Sequence, residues 1–248
     1  MSGEPVLLTG GSGILGTELR RLLPDLIAPP RAQMDITDAA AIEHALDRYH
    51  PALLIHAAAF TDVAAAERER GACWRTNVVG TRNIARAAAA RGVFLVHIST
   101  DYVFEGTRGM YREDDTPGPV RNFYALTKLV AEEVARAAGR SLVIRTSFRP
   151  RQWPYAVAFT DVYTSQDYVD IIAPEIALAV RHVSDIPYET LHIASERKSV
   201  FSLARRRSPE VEPRSKAEAP VALPDDISLD ASRWESLKRR WQPGEGRG

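Results

Sequence analysis

The chain is poor in the features that mark secreted, membrane and nucleic-acid-binding proteins. Its 248 residues include one cysteine, Cys73, which rules out an internal disulfide framework and favours a reducing compartment. Its 32 basic and 32 acidic side chains balance, so no overall field attracts nucleic acid or an anionic membrane. No apolar run has the length of a signal segment or a membrane span. We therefore expect a cytoplasmic protein with no nucleic-acid or membrane partner.

The spacing typical of metal ligands is also missing. Packing at strand ends explains His56 and His97 at least as well as ligation does, and we assign no metal. The six histidines are His44, His50, His56, His97, His182 and His192.

A glycine-rich stretch follows the first apolar segment of the chain. Gly10, Gly13 and Gly16 come directly after residues 6–9, and an apolar helical pattern begins at Ile14. Glycines at this spacing permit a tight turn, close approach of the backbone to a pyrophosphate, and close packing of helix on strand. Amides at the helix N-terminus can then hold phosphates. The stretch predicts a dinucleotide cradle, with a glycine turn that binds nothing as the alternative.

Apolar segments of strand length alternate with helical patterns along most of the chain. Because each segment is almost continuously apolar, we predict an α/β fold with a Rossmann-type doubly wound parallel sheet. Strands are predicted at residues 6–9, 25–28, 51–56, 93–98, 141–145 and 190–194.

Cap signals delimit the predicted helices. Thr37 or Asp38 precedes one helix, Gly92 follows the next, and a third begins near Asn122. Pro174 is expected to divide a helix over residues 167–181.

The chain is predicted to form two unequal parts. Residues 1–147, completed by about 167–195, form the dinucleotide-binding domain. Residues 148–166 and 196–248 form a small, shortened C-terminal substrate lobe, with a frayed end from Pro243.

The tip of the second predicted strand bears on which dinucleotide binds. This position usually meets the adenosine ribose, and a carboxylate there favours NAD. Here the loop carries Arg31 after two prolines, and an arginine there can meet a 2′-phosphate. We expect NADP(H) to be preferred, with NAD(H) as the other possibility and a solvated loop arginine as the alternative for Arg31. The small residues Ala57, Ala58 and Ala59 at a strand end leave room for a flat cofactor.

One constellation has the residue types that carbonyl reduction needs. Thr100 follows a buried strand, and Tyr124 and Lys128 share one face of a helix because they are four residues apart. A phenol with a pKa of about 10 is a poor acid near neutral pH, and a nearby ammonium lowers that pKa. We expect Lys128 to act in this way. Tyr124 then gives a proton to the carbonyl oxygen, while Thr100 hydrogen-bonds the same atom.

These motifs together resemble the extended short-chain dehydrogenase/reductases, and among them the dTDP-4-dehydrorhamnose reductase group. The matching segments are residues 9–16, 34–38, 56–63, Asn77, 99–104, 124–129 and 145–147. The resemblance implies Thr100, Tyr124 and Lys128 as the catalytic set. It implies that Asn77 holds a structural water or the backbone near the site.

Candidate contacts to cofactor and substrate follow from these patterns and from the resemblance. The cofactor candidates are Gly10, Ser12, Gly13, Ile14, Leu15, Gly16, Arg31, Asp35, Ile36, Ala57, Ala58, Ala59, Thr61, Asn77, Ser99, Tyr124 and Lys128. The substrate candidates are Thr61, Asp101, Tyr102, Ser147, Arg149 and Trp153.

The segment after Ser147 departs from the family pattern. It is short and carries Arg149 and Arg151, which can hold a pyrophosphate, with Trp153 or Tyr155 stacking on a base. A salt-bridged surface loop is the alternative interpretation. We expect an NAD(P)H-dependent reductase that acts on a ketone of a nucleotide-linked deoxysugar or a similar small metabolite.

Two alternatives stay open. One is an epimerase or dehydratase that keeps its cofactor bound, and the other is a cofactor-binding regulatory subunit without catalysis. A homodimer is possible through the alanine-rich helices over residues 77–91 and 122–138.

Overall fold

The computed structural model describes residues 5–219 and 221–241. Residues 1–4 and the end predicted to fray from Pro243 lie outside the described residues. The strands, in chain order, are β1 (Val6–Thr9), β2 (Leu26–Ile27), β3 (Leu53–His56), β4 (Phe94–Thr100), β5 (Ser141–Thr146), β6 (Phe148–Arg149), β7 (Val157–Phe159), β8 (Tyr163–Thr164), β9 (Asp167–Tyr168), β10 (Thr190–His192), β11 (Lys198–Ser199) and β12 (Glu212–Arg214).

The helices alternate with the strands in the first part of the chain. The α-helices are α1 (Ile14–Leu22), α2 (Ala39–Tyr49), α3 (Val63–Arg68), α4 (Arg70–Trp74), α5 (Thr81–Arg91), α6 (Phe123–Arg136), α7 (Val169–Arg181), α8 (Val200–Arg205) and α9 (Ser232–Trp241). A π-helical segment, Arg75–Gly80, joins α4 to α5. Across the described ranges, no helix is both long enough and apolar enough to cross a membrane.

Six strands form the central parallel sheet in the order β10-β5-β4-β3-β1-β2. Since β2 lies on one side of β1 and β3 on the other, the strand order reverses at β1 and opens a crevice at the carboxyl ends. The predicted fold class, a Rossmann-type doubly wound sheet, is confirmed.

Residues 35–38, just before α2, form a turn. In a larger doubly wound sheet, another strand would stand at this place in the chain. The Asp35 carboxylate accepts hydrogen bonds from the Thr37 amide and hydroxyl, both at 2.8 Å. This local bonding competes with strand formation. Asp38 then caps α2 by accepting from the Ala40 and Ala41 amides.

Two apolar layers enclose the sheet. Helices α1, α7 and α9 pack on one face, and α2, α5 and α6 pack on the other. Trp234 and Leu237 of α9 are buried in the first layer. The end of the predicted C-terminal lobe is therefore part of the main body of the protein.

The expectation that Pro174 divides its helix is wrong. Helix α7 runs unbroken over Val169–Arg181 with the proline inside it. Ile172, Ala173 and Ile176 are fully buried against the sheet. Their burial outweighs the one backbone hydrogen bond that a proline removes.

A smaller cluster lies beyond β5. Trp153, Val162, Tyr168 and Leu203 pack together with the apolar residues around α8. Trp153, Val162 and Leu203 of this cluster fall in the segments predicted to form the C-terminal lobe.

A buried ion pair joins α6 to the sheet. Glu132 of α6 and Arg145 of β5 are 0% and 2% exposed, and two guanidinium nitrogens of Arg145 donate to the carboxylate, Nε at 3.0 Å and Nη2 at 2.9 Å. Ser99 of β4 donates to the same carboxylate at 2.5 Å. The pair therefore fixes α6 against two central strands.

Removing the cation of this pair should be costly. We expect Arg145→Met to lower the free energy of unfolding by about 3–5 kcal/mol, because it leaves a buried carboxylate without its main partner. Urea denaturation measures this loss. Combining Arg145→Met with Glu132→Met should recover part of it, and a double variant less stable than the single one would contradict this account.

Candidate active site

A cleft of about 880 Å³ lies at the carboxyl ends of the central strands. It extends from the glycine turn across α6 to the segment after β5. The predicted contact residues that line it are Gly10, Ser12, Gly13, Ile14, Leu15, Gly16, Arg31, Asp35, Ile36, Ala57, Ala58, Ala59, Thr61, Ser99, Thr100, Tyr102, Tyr124, Lys128, Ser147 and Arg149.

Three candidate contact residues, Asn77, Asp101 and Trp153, do not line the cleft. Asn77 is 2% exposed in the π-helical segment, and its side chain bonds the backbone of Phe60 in both directions, at 2.7 and 3.1 Å. Asn77 therefore shapes the cleft wall from behind. Asp101 and Trp153 are likewise buried behind the lining residues.

The cleft also has lining residues that the sequence patterns did not single out. They include Arg20 of α1, Thr76 of the π-helical segment, Pro150 and Gln166. A signal existed for Arg20, because it follows Gly13 by seven residues, or two helical turns, and so shares its face. Thr76 and Gln166 carried no comparable pattern.

The glycine turn is built by close backbone contacts. Gly10 has a φ of +76°, and its carbonyl accepts a hydrogen bond from the Gly13 amide at 3.0 Å. A Cβ at Gly16 would lie 2.1 Å from the Gly10 carbonyl oxygen. No side chain caps α1, so its first amides face the cleft with no partner from a cap.

A chain of hydrogen bonds behind the turn ties β1 to β3 and α5. His56 is fully buried and lies 2.8 Å from the Thr9 hydroxyl through Nδ1 and 3.0 Å from the Thr81 hydroxyl through Nε2. The Thr81 hydroxyl donates to the Asn77 carbonyl, so Nε2 carries the proton of a neutral imidazole. Burial lowers the pKa of His56 to about 3, with Lys128 contributing in the same direction.

The phenol of Tyr124 is buried between the sheet edge and the cleft. Burial raises its pKa above the ordinary value, while the hydrogen bond with Thr100 acts in the opposite direction. The net shift of the Tyr124 pKa is therefore upward, because burial outweighs the lowering expected from Lys128. Tyr124 is therefore protonated at neutral pH, and its raised pKa makes it a weaker acid than a free phenol.

Lys128 interacts with the neighbouring strand. Its ammonium donates to the Ile98 carbonyl at 2.7 Å and lies 3.4 Å from Nε2 of His97. Burial lowers the pKa of Lys128 to about 8, and the nearby Glu132 carboxylate opposes that shift. Lys128 is thus charged at neutral pH and begins to lose its charge under mildly basic conditions.

Asp101 lies directly behind Thr100. The Thr100 hydroxyl donates to one carboxylate oxygen at 3.0 Å, and the other oxygen is buried without a partner in the described residues. Burial raises the pKa of Asp101 to about 6, opposed by hydrogen bonds from Thr100 and Ser147 and by the charge of Arg149. The carboxylate therefore orients Thr100 at the cleft edge.

The two arginines after β5 have different surroundings. Arg149 lines the cleft, and its guanidinium lies 5.5 Å from the ring centre of Trp153 and 5.8 Å from that of Tyr155. Arg151 instead forms two hydrogen bonds of 2.8 Å with Glu18 of α1. Arg149 thus presents a cation to the cleft, and Arg151 holds the loop to the helix that follows the glycine turn.

Comparison with known proteins identifies a family. The family model of the RmlD substrate binding domain matches residues 4–172. The dTDP-4-dehydrorhamnose reductase of Streptomyces griseus is 43% identical over 131 residues, which are 51% of this chain and 43% of that protein. The chain spans about half the length of the relatives that it matches in this way.

Solved structures extend the likeness to nearly the whole chain. A hypothetical dTDP-4-dehydrorhamnose reductase from Sulfolobus tokodaii superimposes with a TM-score of 0.81 at 34% identity, covering 94% of both chains. The dTDP-4-dehydrorhamnose reductase of Bacillus anthracis, in complex with NADP, gives a TM-score of 0.81 at 26% identity, covering 97% of this chain and 99% of its own.

The contact between Gly16 and Gly10 should tolerate no side chain. We expect Gly16→Ala to lower the free energy of unfolding by about 3 kcal/mol, since its Cβ would overlap a backbone carbonyl. Gly71→Ala is the matched control, because nothing lies within 4 Å of a Cβ at that helical position. The control should leave stability unchanged or raise it by up to about 1 kcal/mol. Equal effects in urea denaturation would show that the turn is not tightly packed.

Proposed function

The chain belongs to the RmlD substrate binding domain family, and from this premise we propose that it is an NADP(H)-dependent reductase. Its substrate is the ketone of a nucleotide-linked deoxysugar of the dTDP-4-dehydrorhamnose type. One observation carries the proposal. An uncapped glycine turn, a protonated Tyr124, Thr100 and a charged Lys128 all face one cleft.

The residues of the cleft fit a nicotinamide dinucleotide. The glycines let the turn pack tightly on itself, and the first amides of α1 face the cleft without a side-chain cap, where they suit a pyrophosphate. Ala57 and Ala58 continue this wall with small side chains. The NADP complex of the Bacillus anthracis relative supports the same cofactor here. When bound, the cofactor supplies the hydride that reduces the carbonyl carbon.

Tyr124 is the proposed proton donor. The phenol is protonated at neutral pH, so it can give a proton to the carbonyl oxygen as negative charge develops there. The Thr100 hydroxyl has one proton, which it gives to Asp101 here, and we propose that it exchanges this partner for the carbonyl oxygen of the substrate. Lys128 places a positive charge in the same cleft, which stabilises the phenolate left after proton transfer.

The substrate is proposed to enter from the lobe side. Arg149 offers a cation for the pyrophosphate, and the half-exposed ring of Tyr155 lies beside its guanidinium. Thr61, Tyr102 and Ser147 supply hydrogen-bonding groups on the same side. A nucleotide-linked sugar has the anion, the base and the hydroxyls that such a surface recognises.

Two other functions are weighed against this proposal. An epimerase or dehydratase would return the hydride to its substrate, so stoichiometric oxidation of NADPH distinguishes the reductase from it. A cofactor-binding subunit without catalysis is the second alternative, and the presence of Thr100, Tyr124 and Lys128 in one cleft argues against it. Binding of NADPH without substrate-dependent oxidation would support that subunit.

A cytoplasmic location and a homodimer complete the proposal. The location rests on the single cysteine, Cys73, which is free and buried. The dimer rests on the helices α5 and α6 and the segments beside them, where Trp74 and Leu126 expose 39% and 38% of their surface.

Loss of the phenol hydroxyl should separate binding from turnover. We expect Tyr124→Phe to lower kcat for substrate-dependent NADPH oxidation by about 10²–10⁴-fold, because it removes the proton donor. Affinity for NADPH should stay within a few-fold in a fluorescence titration. Tyr188→Phe, on the far surface, serves as the control with unchanged kcat. A Tyr124→Phe variant with normal turnover would exclude the assigned role.

The charge of Lys128 should determine how kcat falls on the basic side of its pH profile. We expect kcat to fall as the pH rises through about 8 and to lose most of its value by about pH 9, as the ammonium loses its proton. Lys128→Arg keeps its charge throughout, so its residual activity should show no fall between pH 8 and 9. If the fall persists unchanged in that variant, another group is responsible.

A further inference from the structure

Arg20 is a guanidinium on the cleft that the proposed reaction does not use. It stands on α1 and lines the same part of the cleft as Gly11, Ala28 and Arg31. Within residues 5–219 and 221–241, no carboxylate lies within ion-pair distance of Arg20. Its positive charge is therefore available to a ligand.

The neighbouring arginines already have acidic partners. The guanidinium of Arg31 donates to the Asp35 carboxylate at 2.9 Å, and Arg21 lies 3.6 Å from the carboxylate of Glu18. The charge of Arg31 is thus largely compensated by Asp35. An anion beside Arg31 also meets that carboxylate, whereas an anion beside Arg20 does not.

Small residues bring Arg20 to the tip of β2. A Cβ at Gly11 would lie 2.7 Å from the Cβ of Ala28 and 3.5 Å from the Cδ of Arg20. The glycine turn, the end of β2 and the side chain of Arg20 therefore meet at one point. In a Rossmann fold the pyrophosphate lies on the glycine turn, and the adenosine ribose lies at the tip of the second strand. A dinucleotide bound in this way would bring its ribose 2′ position near Arg20 and Arg31.

We propose that Arg20 is the residue that selects a dinucleotide with a 2′-phosphate over one with a free 2′-hydroxyl. The inference rests on the proposed function for its ligand class. The planar guanidinium can donate two parallel hydrogen bonds to phosphate oxygens. Arg31 has a supporting role, because it neutralises Asp35 and so removes a repulsion from the phosphate.

Equilibrium binding of NADPH and NADH tests this assignment without any turnover. Both affinities are measured by fluorescence titration for the unaltered protein, Arg20→Ala and Arg21→Ala. We expect Arg20→Ala to weaken NADPH by about tenfold or more and to leave NADH within about twofold, since it removes charge-assisted hydrogen bonds to the phosphate alone. Arg21→Ala is the matched control from the next position of α1 and should change neither affinity. Thermal melting checks that both variants are folded.

Arg31→Ala adds a second comparison. It should weaken NADPH by less than Arg20→Ala does, because Arg31 acts by neutralising Asp35. If Arg20→Ala changes both nucleotides alike or neither, or if Arg31→Ala alone abolishes the preference, the assignment to Arg20 is wrong. If the unaltered protein binds neither nucleotide, the proposed function itself is wrong.

Discussion

The active-site geometry depends on the hydrogen bonds that the buried carboxylate of Glu132 accepts. Arg145 from β5 and Ser99 from β4 both bond to it, so α6 has a fixed height and rotation against two central strands. Tyr124 and Lys128 precede Glu132 by eight and four residues and therefore share its helical face. The ion pair thus determines where the phenol and the ammonium stand. The same carboxylate opposes the effect of burial on the pKa of Lys128, which helps to keep its charge at neutral pH.

Burial raises the pKa of Tyr124 and lowers the pKa of Lys128. Each group is driven toward its neutral form, which for the Tyr124 phenol means that it is protonated and for Lys128 means that it is deprotonated. The first tendency keeps the proton on the donor but makes the donor a weaker acid, and the second tendency weakens the electrostatic partner. The Ile98 carbonyl and Glu132 counter the loss of charge on Lys128. The charge of Lys128 therefore depends on the backbone of β4 as well as on neighbouring side chains.

Much of the fold and part of the cleft could be predicted from local patterns. Strand alternation indicated the doubly wound sheet, and a four-residue spacing placed Tyr124 and Lys128 on one face. The unbroken helix through Pro174 was missed because its stability comes from burial against the sheet, which local propensity does not contain. The raised pKa of Tyr124 was missed for a related reason, since burial depends on tertiary packing. Nor can spacing reveal that Lys128 bonds to the Ile98 carbonyl.

Helix α1 connects the two ends of the cleft. Its free N-terminal amides face the glycine turn, Glu18 on its buried side binds Arg151 of the lobe loop, and Arg20 faces the β2 tip. Glu18 is only 7% exposed, and the guanidinium of Arg151 compensates its charge together with Arg21, which lies 3.6 Å away. Holding the loop in this way fixes the start of the lobe relative to the turn. The same loop carries Arg149, which lines the cleft.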